Sequence, residues 1–142
     1  MTLERAIAIA AEAHAGQKDK AGNPYILHPL RVMLAVKAPE ERIVAVLHDL
    51  VEDTPCTLDA LRAEGFSRDI VDAVDALTRR HGEEYFEFVR RAVAHPIARP
   101  VKIADLRDNL DMTRIAAPTS RDSERFERYR EALRMLGERP DS

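Results

Sequence analysis

The sequence predicts an all-α fold, and three observations carry that prediction. Ala, Leu, Arg and Glu are common, whereas aromatic residues make up only 5% of the 142 residues. Such a composition favours helices and leaves few of the β-branched and aromatic runs that strands use. Apolar residues recur mostly at spacings of three and four, the helical period, and no segment reads as a strand.

Thr2 caps a first helix running to about Ala15, with Leu3, Ile7 and Ala10 along one stripe. Gly16 to Pro24 is a polar connector punctuated by Gly16, Gly22 and Pro24. A second helix starts at about His28, with Pro29 in its first turn, and runs through Leu30, Val32, Met33 and Leu34 to about Lys37. Pro39 opens a third, from Glu40 to about Glu52, with acidic residues in its first turn. Thr57 and Ser67 read as N-caps for helices near 58–64 and 68–79, and Gly65 ends the former. A helix from Glu83 to about Ala94 turns Phe86, Val89 and Val93 inward. Pro96 and Pro100 bracket the entry to a helix over about 100–115. The last begins near Ser120, with Phe126, Tyr129, Leu133 and Leu136 as its buried stripe.

Composition bounds the function classes. Hydrophobic residues at 45% and charged residues at 33% suit one folded domain over residues 1–142. Twenty-two basic against 25 acidic residues leave a net charge of −3, without the basic field that non-specific nucleic-acid binding uses. Cys56 is the only cysteine, so no internal disulfide forms. A lone thiol fits a reducing compartment. The N-terminus lacks a signal-peptide pattern and no window is apolar enough to span a membrane. The expectation is a soluble, cytoplasmic domain with no membrane or nucleic-acid partner. Its oligomeric state is left open.

One segment concentrates chemistry: Ala45-Val46-Leu47-His48-Asp49-Leu50-Val51-Glu52-Asp53-Thr54. His48 and Glu52 are four apart, as are Asp49 and Asp53, so each pair shares a helix face. A His-Asp pair among apolar neighbours is expensive unless paired or bound to a metal. Acidic groups at a helix C-terminus are unfavourable unless a cation compensates. Lys102, Asp105 and Asn109 share one face of a later helix, and His28 opens an earlier one beside Pro29. Taken singly, His28 and Asp105 read as structural residues; their case rests on joining His48-Asp49. Two histidines and two aspartates would make a mixed N/O site suited to Mn²⁺, Fe²⁺ or Zn²⁺, with carboxylate richness leaning to Mn²⁺.

The order His28 … His48-Asp49 … Asp105 resembles the HD phosphohydrolase superfamily. Three longer strings narrow the resemblance. They are Ala13-His14-Ala15-Gly16-Gln17 … Gly22-Asn23-Pro24-Tyr25-Ile26-Leu27-His28-Pro29, His48-Asp49-Leu50-Val51-Glu52-Asp53-Thr54 and Lys102-Ile103-Ala104-Asp105 … Asn109. Together they resemble the hydrolase domain of the RelA/SpoT family and its stand-alone small alarmone hydrolases, over most of residues 5–135. The resemblance implies an all-α HD-domain helical bundle and Mn²⁺-dependent removal of the 3′-pyrophosphate from guanosine tetra- or pentaphosphate. It assigns His28, His48, Asp49 and Asp105 as metal ligands. Glu52 and Asp53 match the pair that orients or deprotonates the attacking water, and Asn109 a residue near the sugar.

Lys18 and Lys20, in the connector, are the candidate phosphate contacts, set against a solvated charged loop. The connector Gly16-Gln17-Lys18-Asp19-Lys20-Ala21-Gly22 departs from the family in having no arginine to pack on guanine. Relaxed base selectivity is therefore expected. Two rival readings follow: a phosphohydrolase of the same type acting on another nucleotide, and a silent binding or regulatory module. The intact Glu52-Asp53 pair speaks against the second, and 142 residues leave no room for the family's separate synthetase domain. Cys56 reads as a loop residue, and His14, His81 and His95 as surface or capping residues.

Overall fold

A computed structural model of the chain describes residues 1–111 and 118–140. In chain order it places α1 (Leu3–Ala13), α2 (Leu27–Ala35), α3 (Pro39–Leu47), α4 (Leu50–Asp53), α5 (Leu58–Glu64), α6 (Arg68–Ala76), α7 (Tyr85–Val93), α8 (Ala98–Asn109) and α9 (Ser120–Met135). Among the described residues the only extended pairing is an isolated antiparallel bridge between Lys18 and Pro24. No helix among them is long and apolar enough to cross a membrane.

Helix α3 is the hub. Ile43, Val44, Ala45, Val46 and Leu47 are all buried, the pattern of a helix enclosed on every side. It packs against α1, α2, α6 and α8. Ala6 and Ala10 of α1, Val32 of α2, Val71 and Val74 of α6 and Val101 of α8 complete this core. A smaller core joins α7, α8 and α9 through Val89, Leu106, Ala132 and Leu133. The expected caps are present: Thr2, Thr57 and Ser67 accept from Arg5 N, Ala60 N and Ile70 N. Gly65 closes α5 at φ +99°, a left-handed conformation that glycine adopts without a Cβ penalty.

Several boundaries differ from the sequence reading. The helix expected over Glu40–Glu52 is two helices, α3 and α4, parted at His48-Asp49. The His48 ring donates from Nδ1 to the Ala45 carbonyl at 2.5 Å, and Asp49 opens to φ −96°, ψ −3°. A side chain bonded to the backbone three residues back competes with the helical ladder. Helix α6 ends at Ala76 rather than 79, with the Thr78 hydroxyl folded back onto the Val74 carbonyl. Helix α7 starts at Tyr85, capped by Glu84. Its buried residues are Phe88, Val89 and Ala92, with Phe86 and Val93 half-buried. Helix α8 begins two residues early and ends at Asn109; residues 112–115 of the expected helix lie outside the described residues.

Candidate metal centre

Three segments of the fold deliver the polar groups. Helix α2 carries His28 in its first turn, the α3–α4 junction carries His48 and Asp49, and α8 carries Asp105. His28, His48 and Asp105 are 5%, 2% and 7% exposed, so their charges and lone pairs must be satisfied inside the protein.

The His28 ring donates from Nδ1 to Asp108 Oδ2 at 2.6 Å. Arg31 in turn fixes Asp108, through Nε at 2.8 Å and Nη2 at 3.2 Å. This leaves His28 Nε2 facing inward, 2.9 Å from Asp105 Oδ1 and 3.6 Å from Asp49 Oδ2. His48 spends its Nδ1 proton on the Ala45 carbonyl, which puts the lone pair on Nε2. That nitrogen lies 3.1 Å from Asp49 Oδ1 and 3.4 Å from Asp105 Oδ1, yet it is buried without a hydrogen-bond partner. Two ligand atoms each about 2.1 Å from a common ion, at right angles, lie about 3 Å apart. The four side chains therefore fit a cation. Ligand atoms of His28, His48 and Asp49 all lie within 4.8 Å of one another, and the unpartnered His48 nitrogen is the atom a cation would satisfy.

The electrostatics agree. Burial opposes charge on His28, but hydrogen bonds to Asp105 and Asp108 outweigh it and raise the imidazole to about 10. Burial likewise opposes charge on His48, and Asp49 and Asp105 raise it. Burial would lift Asp105, but Lys102 and the two histidines hold it well below the usual carboxylate range. Lys102 donates to Asp105 Oδ2 at 3.2 Å and sits 4.6 Å from the centre of the Phe88 ring. Asn109 donates to Asp105 Oδ1 at 3.1 Å, so the predicted face of Lys102, Asp105 and Asn109 exists.

Glu52 and Asp53 stand on α4 at the rim and diverge. Glu52 Oε1 accepts the Arg79 N–H at 2.5 Å. Asp53 lies with Asp49 beside the Tyr25 hydroxyl, which donates to Asp49 Oδ2 at 2.6 Å and reaches Asp53 Oδ2 at 3.5 Å. Desolvation and the neighbouring carboxylates raise both acids above their ordinary values, the direction that suits a proton acceptor near neutral pH.

A cleft of about 290 Å³ opens beside this centre, lined by Lys18, Lys20, Tyr25, His28, Arg31, Asn109, Arg125 and Tyr129 among others. Lys20 reaches across it to α9, where its Nζ lies 3.0 Å from the buried Asp122 carboxylate that also pairs with Arg125 at 2.9 Å. The sequence reading missed Asp108, Arg31, Tyr25 and Arg125. For the first two a signal existed: Arg31 is three residues after His28, and Asp108 three after Asp105, so each shares a helix face with a candidate ligand. Cys56 is half-buried, with its thiol raised by burial and by Glu64, which disfavours the nucleophilic thiolate. His14 caps α1 as expected but is buried, not at the surface.

Among the described residues, helices and their junctions bring two histidines and two aspartates to one point in the interior, a candidate divalent-metal centre of the His-Asp kind. The family model of the HD domain matches residues 6–136, and the chain belongs to the HD domain family. Over 120 residues it is 32% identical to the guanosine-3′,5′-bis(diphosphate) 3′-pyrophosphohydrolase of Aquifex aeolicus, covering 76% of this chain and 17% of that protein. Over 129 residues it is 33% identical to a probable GTP pyrophosphokinase of Mycobacterium leprae, covering 82% and 16%. The chain thus spans about a sixth of the length of these relatives. The fold is similar to that of a solved metazoan SpoT ortholog described as hydrolysing ppGpp, with a TM-score of 0.80 at 22% identity over 94% of this chain and 84% of that one.

Proposed function

We propose that this chain removes the 3′-pyrophosphate of guanosine tetra- or pentaphosphate, giving GDP or GTP and pyrophosphate, with Mn²⁺ as the resident ion. The single observation that carries the reading is the buried convergence of His28, His48, Asp49 and Asp105 around an unpartnered His48 Nε2. Similarity to relatives named for that reaction supports the substrate class. Carboxylate-rich N/O ligation favours Mn²⁺ over softer-site metals.

In this reading His28, His48, Asp49 and Asp105 hold the ion. These four residues would give the ion a place to supply Lewis acidity toward a water and the phosphoryl oxygens. Glu52 and Asp53 orient the attacking water and take its proton, with carboxyl groups already raised toward that task. The water oxygen bonds to the phosphorus next to the ribose, the bond from that phosphorus to the 3′-oxygen breaks, and the 3′-oxygen takes up a proton. Lys18 and Lys20 stand at the cleft wall to offset phosphate charge. Asn109 is bonded to Asp105 and lines the cleft, and would lie near the sugar, as the family resemblance implies.

One observation favours a second reading, hydrolysis of another nucleotide: the connector has no arginine. Planar groups in the cleft come instead from Tyr25, from Arg31 of α2, and from Arg125, Phe126 and Tyr129 of α9. Cation–π stacking is worth about 0.5–2 kcal/mol, so the connector's change alone shifts base preference by about a decade. The test is product analysis with Mn²⁺ on guanosine and adenosine 3′-pyrophosphates and on nucleotides lacking a 3′ group. Pyrophosphate release from the guanosine compound supports the first reading. Turnover confined to nucleotides without a 3′-pyrophosphate replaces it with the second.

A further inference from the structure

His14 carries, in its buried ring, a desolvation cost that capping α1 does not require. It is 2% exposed, and its role as C-cap of α1 uses only its backbone N–H, bonded to the Ala10 carbonyl at 2.9 Å. An apolar side chain would fill the same space without burying a polar ring. Its Nε2 is buried with no partner, so the hydrogen bonding of the imidazole comes from the other nitrogen. Nδ1 lies 2.8 Å from Gln17 Oε1. The Gln17 amide nitrogen donates to the Asp53 carbonyl at 3.0 Å, so its oxygen faces the ring and Nδ1 carries the proton.

That second bond ends at the weakest element of the site. Helix α4 is one turn long and has no side-chain N-cap. A single turn does not hold itself, and its last carbonyls have no partner within the helix. The Asp53 carbonyl receives its donor from Gln17. Backbone and ring contacts tie in the same segment: Tyr25 N–H donates to the Gln17 carbonyl at 2.9 Å, and the Tyr25 ring centre is 5.0 Å from that of His14. Tyr25 then reaches the Asp49 and Asp53 carboxylates. The segment from His14 to Tyr25 thus grips the start of α4 at Asp49 and its end at Asp53.

We propose that His14 is a positioning residue that acts through Gln17: its Nδ1–H fixes the Gln17 amide, which pins the end of α4 and sets the Asp53 carboxylate against the attacking water. Its catalytic part rests on the hydrolase reading above, whereas the link itself does not. A misplacement of about 1 Å in a catalytic group costs on the order of 10²-fold in rate, and loss of an outer hydrogen-bond partner about 10–100-fold.

Four variants test it. His14→Phe keeps the packing and removes the donor, His14→Asn keeps a donor where Nδ1 stood and loses packing, and Gln17→Met removes the link without touching the core. The fourth is the His14→Phe/Gln17→Met double variant. Against the best substrate of the wild type, His14→Phe and Gln17→Met are expected to lower kcat about 10–100-fold, with KM and Mn²⁺ affinity within about twofold. His14→Asn should hold kcat within about threefold of wild type while its Tm falls, the reverse of a purely structural role. The double variant should lose no more than the worse single, as coupled members of one link do. Hydrogen exchange at the Asp53 and Thr54 amides, bonded to the Asp49 and Leu50 carbonyls, reads the link without any substrate and should speed up in Gln17→Met. Were the wild type to leave guanosine tetraphosphate intact, the hydrolase reading would fall while the exchange data still judged the link. Unchanged exchange in Gln17→Met and His14→Phe, or kcat tracking Tm across the set, overturns the proposal.

Discussion

In the proposed reaction, the residues of the centre divide into those that would hold a cation and those that would handle a proton. Glu52 and Asp53 are proposed for the second group; Glu52 accepts the Arg79 N–H and Asp53 lies beside Tyr25. Glu52→Ala and Asp53→Ala should each cost on the order of 10²-fold or more in kcat with metal binding retained; steady-state kinetics beside a Mn²⁺ titration separates the two effects. Asp108 acts on the first group from outside. It accepts from His28 Nδ1 and is braced by Arg31, which turns His28 Nε2 inward toward Asp105 and Asp49. Asp108→Ala should weaken Mn²⁺ binding about 10–100-fold, seen as a smaller rise in Tm on adding the ion. The same rise as wild type would mean that His28 is oriented by something else. At this scale the sequence was most legible for His28, His48, Asp49 and Asp105, because ordered strings carry them. It was least legible for Asp108 and Asp122, whose partners lie 80 and 102 residues away at His28 and Lys20. The burial of His14 had a readable signal, since Ala6, Ala10 and His14 recur every four residues down one side of α1.

Among the elements, the α3–α4 break and the α6–α7 loop matter most to the site. Periodicity foresaw one helix through Glu52 because every apolar position kept phase. The break turns on a side chain bonding a carbonyl, which spacing does not encode. The α6–α7 loop supplies the Arg79 N–H to Glu52, and Arg91 of α7 holds that loop. Its guanidinium meets both Glu83 oxygens at 2.9 Å and the Asp75 and Thr78 carbonyls at 3.1 and 2.8 Å. The Arg91 guanidinium, with the Arg80 N–H, holds the Glu83 carboxyl down at about 2, below its ordinary 4.5. A depressed folded value means that the stability it contributes is full above about 4.5 and is lost as pH falls from there toward about 2. Glu83→Gln should therefore lower Tm at neutral pH by on the order of a few degrees, and the gap to wild type should close as thermal melts move through that window. A gap that stays constant down to about pH 2 would place the contribution elsewhere. Gly65 is a simpler case. Its φ is +99°, and a Cβ added there would lie 3.2 Å from Met1 Cε. Gly65→Ala should cost about 1–2 kcal/mol in a denaturant melt.

Across the whole molecule, the helical class and most helices were legible because apolar spacing and caps are local. The cleft was not, because it needs the connector, α8 and α9 to meet; Lys20 meets Asp122 rather than standing ready in solvent. The buried hub α3 ties these regions to one core, so its packing and the metal centre should melt together. Leu47, fully buried beside His48, should cost about 2–5 kcal/mol as Leu47→Ala, and the same melt should carry the loss of metal-dependent stabilisation. One His/Asp centre is proposed to hold the single divalent ion on which turnover depends. The measurement that tests it most directly is Mn²⁺ binding counted against guanosine tetraphosphate hydrolysis in the same metal-stripped preparation, for wild type and Asp105→Asn. The expected result is one tightly bound ion per chain, pyrophosphate release rising in proportion to its occupancy, and both lost in Asp105→Asn. Full turnover by the stripped protein, or tight binding and turnover undiminished in Asp105→Asn, would contradict it.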